Sequence, residues 1–317
     1  MASIPFFLLG ALYSFLGFTV FVCSDVFTKA SGLNGASPLA ILSLSGLAAA
    51  LTVFIGLVPK RDFKKLLPTR WGLQSGRILL FLLCSYANVL AFTNLPLTTV
   101  YIGLFASPFL ISLLGKVFLH ESLSRVQVGT ILLGFIGVVI ALAPEMHQGA
   151  TIGTENPILG WAALPVFLVT FVITMLMLRV LGRTDTSESL TFWIYFVRGV
   201  LFLPIFFINP LTEMSWQTIL FIIGSGVLSG IGFLLTTAAY KLAPVAIASS
   251  FHYTQLVTGA ILGYLVWGTV PSPFVFAGGV LIIVSGIIMA REAGRAPQEK
   301  AAEALTLQDH AQQSQAL

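Results

Sequence analysis

Ser249, His252 and Tyr253 stand at i, i+3 and i+4 inside the apolar run 244–268, PVAIASSFHYTQLVTGAILGYLVWG. On a helix that spacing puts three polar side chains on one face. Ser250 and Thr254 share the neighbouring face. An imidazole there can donate, accept or titrate near neutral pH, and the phenol beside it offers both a ring and a hydroxyl. Polar groups in hydrocarbon are costly and usually face a cavity, a partner helix or a solute path. Two readings stay open: the wall of a solute cavity, and a packing cluster bonded to an adjacent helix.

Arg198 is the sharpest single charge, eight residues into its own apolar run and just past Trp193 and Tyr195. A guanidinium at that depth can clamp a carboxylate or phosphate in two-pronged fashion. It can equally snorkel to the membrane edge or bond carbonyls of a neighbouring helix. Asp25 precedes Lys29 by four residues. It is therefore either a proton-coupling carboxylate or half of a neutralising helical pair. Ser85, Tyr86 and Asn88 interrupt and weaken another apolar run, Thr93 and Asn94 follow it, and Tyr101 and Phe105 lie in the next. Aromatics facing each other across a cavity suit a partly apolar or cationic solute, with core packing as the alternative.

The elements that hold these residues must be membrane helices. Hydrophobic residues make up 57% of the chain, charged residues only 9%, and the mean hydropathy is +0.96. A soluble domain carries about 25% charged residues, so the solvent of this chain is lipid. Isolated strands cannot satisfy their backbone groups there. Runs of about 20 apolar residues predict ten helical spans: Phe6–Phe27, Pro38–Val58, Arg77–Phe92, Thr98–Leu119, Val126–Ala143, Ile158–Leu181, Leu190–Ile208, Trp216–Ala238, Val245–Gly268 and Phe274–Ala290. The first run is too long for a cleavable signal and lacks a basic start, so it is expected to be a retained span. Cys23 and Cys84 both fall in apolar runs and read as small buried hydrophobes.

Basic residues orient the chain. With the N-terminus in the cytoplasm, every Lys and Arg except Lys29 and Arg198 lies inside; Arg77 is counted with the inner loops, and the tail supplies Arg291, Arg295 and Lys300. The expected topology is N-in/C-in in a bacterial inner membrane. The cluster 60–65 is then a juxtamembrane contact for anionic lipid, which removes the reason to expect a nucleic-acid partner. The polar tail 292–317 is expected to be disordered.

The chain also repeats itself. Residues 91–119 align without a gap on 239–267, pairing Pro96 with Pro244 and Gly115 with Gly263. One residue out of step, 129–141 aligns on 278–290, with Gly129/Gly278, Leu132/Leu281, Gly137/Gly286 and Ala141/Ala290 identical; Gly46 pairs with Gly199. Two units follow, 1–145 and 156–291, of five spans each. An odd number of spans inverts the second copy, and inverted repeats place the solute site near the midplane, between the halves. The repeat mates of Tyr101, Leu104 and Phe105 are Ser249, His252 and Tyr253.

The line NLPLTTVYIGLFASPFLISLLGKVFLHESLSRVQVGTILLGFIGVVI, with its echo ending in SGIIMARE, resembles the EamA branch of the drug/metabolite transporter superfamily. The likeness runs from about Ala11 to Glu292. It implies ten helices around a central cavity, alternating access, and solute-lining positions on helices one, three, four, six, eight and nine. Members of that family handle amino acids, amines, drugs and nucleotide precursors. The chain departs from the pattern twice: the loop acid Glu121 has Thr269 as its counterpart, and the Arg found in the second span of each half is present only as Arg198, opposite Ser45. The expected function is secondary transport of a small amino-acid-like or amphiphilic metabolite, as an exporter. Monomer and homodimer both stay open. The other reading is a membrane enzyme or lipid-handling scaffold. It would need a reactive constellation, and the spans hold no acid pair, His cluster, Cys pair or Ser/His/Asp set. No catalytic residue, cofactor or metal is therefore expected, and Glu145, His147 and Glu155 read as a solvated loop.

Overall fold

A computed structural model describes residues 6–107, 110–111, 113–114, 125–148, 156–242, 248, 251–268, 270, 272–288 and 291. Among the described residues there is no strand. The helices are α1 (Phe6–Leu33), α2 (Pro38–Leu57), α3 (Trp71–Asn94), α4 (Leu97–Leu104), α5 (Arg125–Gln148), α6 (Pro157–Leu181), α7 (Ser187–Leu201), α8 (Trp216–Leu242), α9 (Thr254–Trp267) and α10 (Pro273–Ile288). Among the described residues, six segments are long and apolar enough to cross a membrane: Leu9–Leu33, Pro38–Leu57, Trp71–Asn94, Pro157–Leu181, Ser187–Phe207 and Trp216–Leu242. Lys116, Glu121, Glu155, Ser249, Ser250, Thr269 and the tail 292–317 lie outside the described residues, as do the side chains of Glu145, His147 and Tyr253.

Local sequence sets the helix starts. Ser37 accepts a hydrogen bond from Ala40 N ahead of Pro38, and Asn156 accepts one from Leu159 N ahead of Pro157. A capping oxygen followed by a proline that has no N–H to lose is a favoured opening turn. Thr186 caps α7 in the same way, by accepting from Ser189 N at 3.1 Å.

Three expected spans differ from what the chain builds. The third was expected to begin at Arg77 and be weakened by Ser85, Tyr86 and Asn88, but α3 runs unbroken through all of them. Its backbone is satisfied internally, and Ser85 and Asn88 turn toward the interior. The seventh ends earlier, at Leu201, and continues as a 3₁₀ segment, Leu203–Phe207. Pro204 lacks the N–H that an α-helix needs there. The ninth is not a continuous helix: Phe251–Tyr253 form a 3₁₀ turn and α9 starts at Thr254. The first copy is interrupted at the matching place, because α4 ends at Leu104, the repeat mate of His252.

Contacts join the N-terminal and C-terminal halves of the chain. α1 packs along α8, α3 along α6, α2 against α7 and α8, and α4 against α9. Small residues permit this closeness. A Cβ on Gly46 would lie 2.8 Å from Gly199 N, so the repeat mates Gly46 and Gly199 put the backbones of α2 and α7 in direct contact. The basic end is knitted together: Thr69 N donates to Asp185 Oδ1 at 2.7 Å, Trp193 Nε1 to Leu66 O at 2.7 Å and Lys241 Nζ to Asp185 O at 2.9 Å.

Candidate functional site

A cavity of about 100 Å³ lies among helices from the N-terminal and C-terminal halves of the chain. Its walls come from α1, α3, α4, α6, α7 and α8, with His252 in the 3₁₀ turn and Gln255 on α9. Phenylalanine is the commonest wall residue: Phe18 and Phe21 from α1, Phe81 and Phe92 from α3, Phe167 and Phe171 from α6, and Phe233 from α8. On each helix these stand three or four residues from a polar wall group or from each other, as in Phe21/Asp25, Phe81/Ser85 and Ser229/Phe233. That is the spacing of one helix face.

Arg198 is 7% exposed and stays within the bundle. Its Nη2 donates to Ser45 Oγ at 3.0 Å, and Nη1 lies 3.5 Å from Ser85 Oγ. The guanidinium carbon sits 4.7 Å from the centre of the Tyr195 ring, while Nε has no partner. Snorkelling to the membrane edge is thereby replaced by an internal mooring to Ser45, the residue's own repeat mate. Among the described residues no carboxylate bonds Arg198, and the one ion pair is Lys65–Asp62.

Asp25 also lines the cavity, half-buried, and its Oδ2 accepts a hydrogen bond of 2.7 Å from Tyr101 Oη. The expected Asp25–Lys29 pair does not form. Lys29 Nζ instead donates to Leu95 O at 2.7 Å and stands 5.7 Å from the Trp267 ring. α1 extends to Leu33, which carries both residues inside the bundle, where each finds a better-placed partner on another helix. The cavity therefore has one anionic wall group and one cationic wall group that are not bonded to each other.

His252 is 1% exposed. Its ring centre is 3.8 Å from that of Phe18 and 5.3 Å from that of Phe171, and Nδ1 is 3.2 Å from Gln255 Oε1. An amide oxygen only accepts, so the proton belongs on Nδ1. Nε2 is then an acceptor left without a partner, on a residue that lines the cavity.

Of the residues singled out in the sequence, the structure brings Asp25, Asn88, Tyr195, Arg198 and His252 to one cavity. Tyr101 stands behind the wall, fully buried, with its ring against Phe92 at 5.4 Å. Phe105 is buried in the apolar core beside it. Tyr86 points outward at 38% exposure, on the face of α3 opposite the cavity. Trp193 is held at the basic end, by Leu66 O and by the edge of Trp71 at 5.0 Å. The phenylalanine lining, Gln255, Ser85 and Thr174 were not anticipated. Only α3 carried a readable signal, the stripe Gln74, Arg77, Phe81, Ser85, Asn88 at intervals of three and four.

Comparison with known proteins agrees with this architecture. Residues 158–291 match the EamA-like transporter family. The chain is 26% identical to the Pseudopaline exporter CntI of Pseudomonas aeruginosa, over 67% of this chain and 71% of that protein. It is 23% identical to the Riboflavin transporter of Brucella anthropi, over 86% and 95%. It is 25% identical to the S-adenosylmethionine uptake transporter of Rickettsia felis, over 71% and 73%. A solved crystal structure superposes with a TM-score of 0.70 at 17% identity, covering 90% of this chain and 98% of that one, which establishes likeness of fold alone. Apolar helices and these relatives place the chain as an integral membrane protein similar to EamA-like transporters, whose family model its residues 158–291 match.

Proposed function

We propose that the chain is a secondary transporter for a small zwitterionic or amphiphilic metabolite, amino-acid-like in carrying both charges, and that it works as an exporter in a bacterial inner membrane. The observation that carries this reading is the cavity itself. Arg198 and Asp25 face it without neutralising each other, and aromatic rings fill the space between. A carboxylate fits the guanidinium, an ammonium fits Asp25, and an apolar body fits the phenylalanine walls. The named relatives include an exporter and uptake carriers. The direction proposed here therefore rests on the sequence reading.

The architecture proposed is ten spans as two inverted five-helix units, 1–145 and 156–291, with both termini in the cytoplasm. It is supported by the pattern of contacts. If the units exchange, α1 corresponds to α6, α3 to α8, and α2 to α7. The pairs α1–α8 and α3–α6 are then equivalents, and α2–α7 maps onto itself. A cavity of about 100 Å³ is smaller than the roughly 300–1,000 Å³ of ordinary small-molecule pockets, which fits a contracted state of an alternating-access cycle.

The test is reconstitution. Full-length protein is screened by thermal shift against a metabolite library, and hits are followed by counterflow in liposomes. A zwitterion should both stabilise and be carried. The double variant His252→Ala/Tyr253→Ala should elute as folded protein and carry nothing. Normal flux in that variant removes the site, and chemical conversion of the ligand removes the transporter reading.

A further inference from the structure

Three of the cavity rings form a layer of their own. Phe81, Tyr195 and Phe233 meet edge-to-face, with centres 5.4 Å (Phe81–Tyr195), 5.7 Å (Phe81–Phe233) and 5.7 Å (Tyr195–Phe233) apart. They come from α3, α7 and α8. On the cavity side Arg198 stands 4.7 Å from Tyr195 and 5.9 Å from Phe81. A second guanidinium, Arg77, stands 5.6 Å from Phe233 but is not part of the cavity wall. It precedes Phe81 by one turn on α3, and so lies toward the basic end, where α3 begins. The sequence had placed Arg77 among the inner loops. The structure buries it completely.

Arg77 is only partly satisfied there. Nη1 donates to Leu190 O at 3.0 Å, whereas Nε and Nη2 have no partner. It is not alone. Gln74, one turn before it, has neither amide atom bonded. On α8, Thr237 and Tyr240 follow Phe233 by one and two turns, and both hydroxyls are unpartnered. None of these four residues is more than 2% exposed. A buried polar atom left unbonded costs about 1–3 kcal/mol, more when charged. A cluster of them behind a ring layer is expensive unless a polar guest visits it.

We infer that Phe81, Tyr195 and Phe233 are the gate between the central cavity and the basic end, and that Arg77 behind them is a second anion-binding site, to which a carboxylate, sulfonate or phosphate passes from Arg198. The inference rests on the transport reading. The open fork of Arg77 supplies two parallel N–H donors for such a group, and Gln74, Thr237 and Tyr240 supply further bonds. Rotation of the three rings opens the way.

The experiment needs no knowledge of the substrate. In full-length protein carrying Cys23→Ser and Cys84→Ser, Thr237→Cys is treated in oriented vesicles with two impermeant methanethiosulfonates, one bearing a sulfonate and one a trimethylammonium. From the basic face the sulfonate reagent should react about tenfold faster, the effect of one nearby charge at intermediate dielectric. Arg77→Gln should remove that preference and Arg77→Lys should keep it. Ser229→Cys, on the cavity side, should react from the basic face at least tenfold faster once Tyr195→Ala has opened the layer. Failure of either reagent to react, equal rates with Arg77 intact, or a preference that survives Arg77→Gln overturns the second site. Reaction of Ser229→Cys at the same rate with the rings intact overturns the gate. Elution and melting temperature of each variant confirm that folded protein was read. Counterflow separates the two levels: charge-selective labelling without any flux fails the transporter reading, and flux without charge selectivity fails this inference.

Discussion

Arg198 can be a structural pin or a solute contact, and Arg198→Met tells them apart. Met keeps an unbranched apolar stem as far as the position of Nε and removes the charged guanidinium beyond it. Burying a cation without a counter-ion costs several kcal/mol. Against that, the 3.0 Å bond to Ser45 returns about 1.5–3 kcal/mol, and stacking on Tyr195 at 4.7 Å returns about 2 kcal/mol. The 3.5 Å approach to Ser85 adds little. These terms cancel to within about 1–2 kcal/mol. Removal also strands no partner, because Ser45 Oγ still donates to Ile41 O. Arg198→Met is therefore expected to melt within a few degrees of the parent by scanning fluorimetry in detergent. Counterflow of an anionic or zwitterionic solute should fall by about thirtyfold or more, the effect of losing roughly 2 kcal/mol or more of charge-pair binding. A variant destabilised by about 3 kcal/mol or more with unchanged half-saturation would refute this, and would make Arg198 a structural pin.

Four further outcomes follow from the same contacts. Gly46→Ala pushes a methyl into Gly199 N at 2.8 Å and should cost about 1–3 kcal/mol, whereas Gly56→Ala on the same helix meets nothing within 4 Å and should be neutral or stabilising in the same melt. Tyr101→Phe deletes the 2.7 Å bond to Asp25 and should cost about 1.5–3 kcal/mol; a double-mutant cycle with Asp25→Asn should show that most of this loss is shared. Asp25→Asn should also make flux indifferent to an imposed pH gradient, and flux that still follows the gradient counts against a coupling role. Trp193→Phe loses the bond to Leu66 O and should lower the melting temperature slightly while leaving half-saturation unchanged, since the indole lies outside the cavity.

Much of the helical layout was legible because lipid imposes it. The all-helical class and the helix starts at Pro38 and Pro157 follow from hydropathy and from the capping residues ahead of each proline. The cavity walls were less legible, for a physical reason. Phenylalanine serves lipid and lumen equally well, and the chain has 26 of them, so no pattern separated Phe81 on the wall from Phe135 at 45% exposure. Polar residues carried more information, yet direction decided their roles. Tyr86 and Asn88 are two positions apart and project on nearly opposite sides of α3, one outward and one to the cavity. Asp25 and Lys29 looked like a pair because helical spacing allows it. Tertiary partners on α4 and at Leu95 outbid that local contact. Arg77 was misplaced because an arginine near a span end reads as topology, whereas here it lies one and a half turns inside.

The energetics of switching sharpen what the solute must do. At the basic end the two units are joined by few directional bonds: Thr69 N to Asp185, Trp193 to Leu66 O, Thr186 to Lys65 O and Arg77 to Leu190 O. At about 0.5–1.5 kcal/mol each, breaking them costs on the order of 2–6 kcal/mol. Reversing a 99:1 preference between two states takes about 5.5 kcal/mol of differential binding. On the proposed reading, a zwitterion that engages Arg198 and Asp25 together only in one state supplies that much with about 3 kcal/mol from each contact. The two helices interrupted at matching places, after Leu104 and at Phe251–Tyr253, give each unit a bending point beside the cavity. The asymmetry between the units then acquires a purpose. The second half of the chain brings Arg198, Tyr195, His252 and Gln255 to the cavity and the first brings Asp25, so on the proposed reading a solute bearing both charges would be held by both halves. Only a guest held by both can lower the cost of moving one against the other.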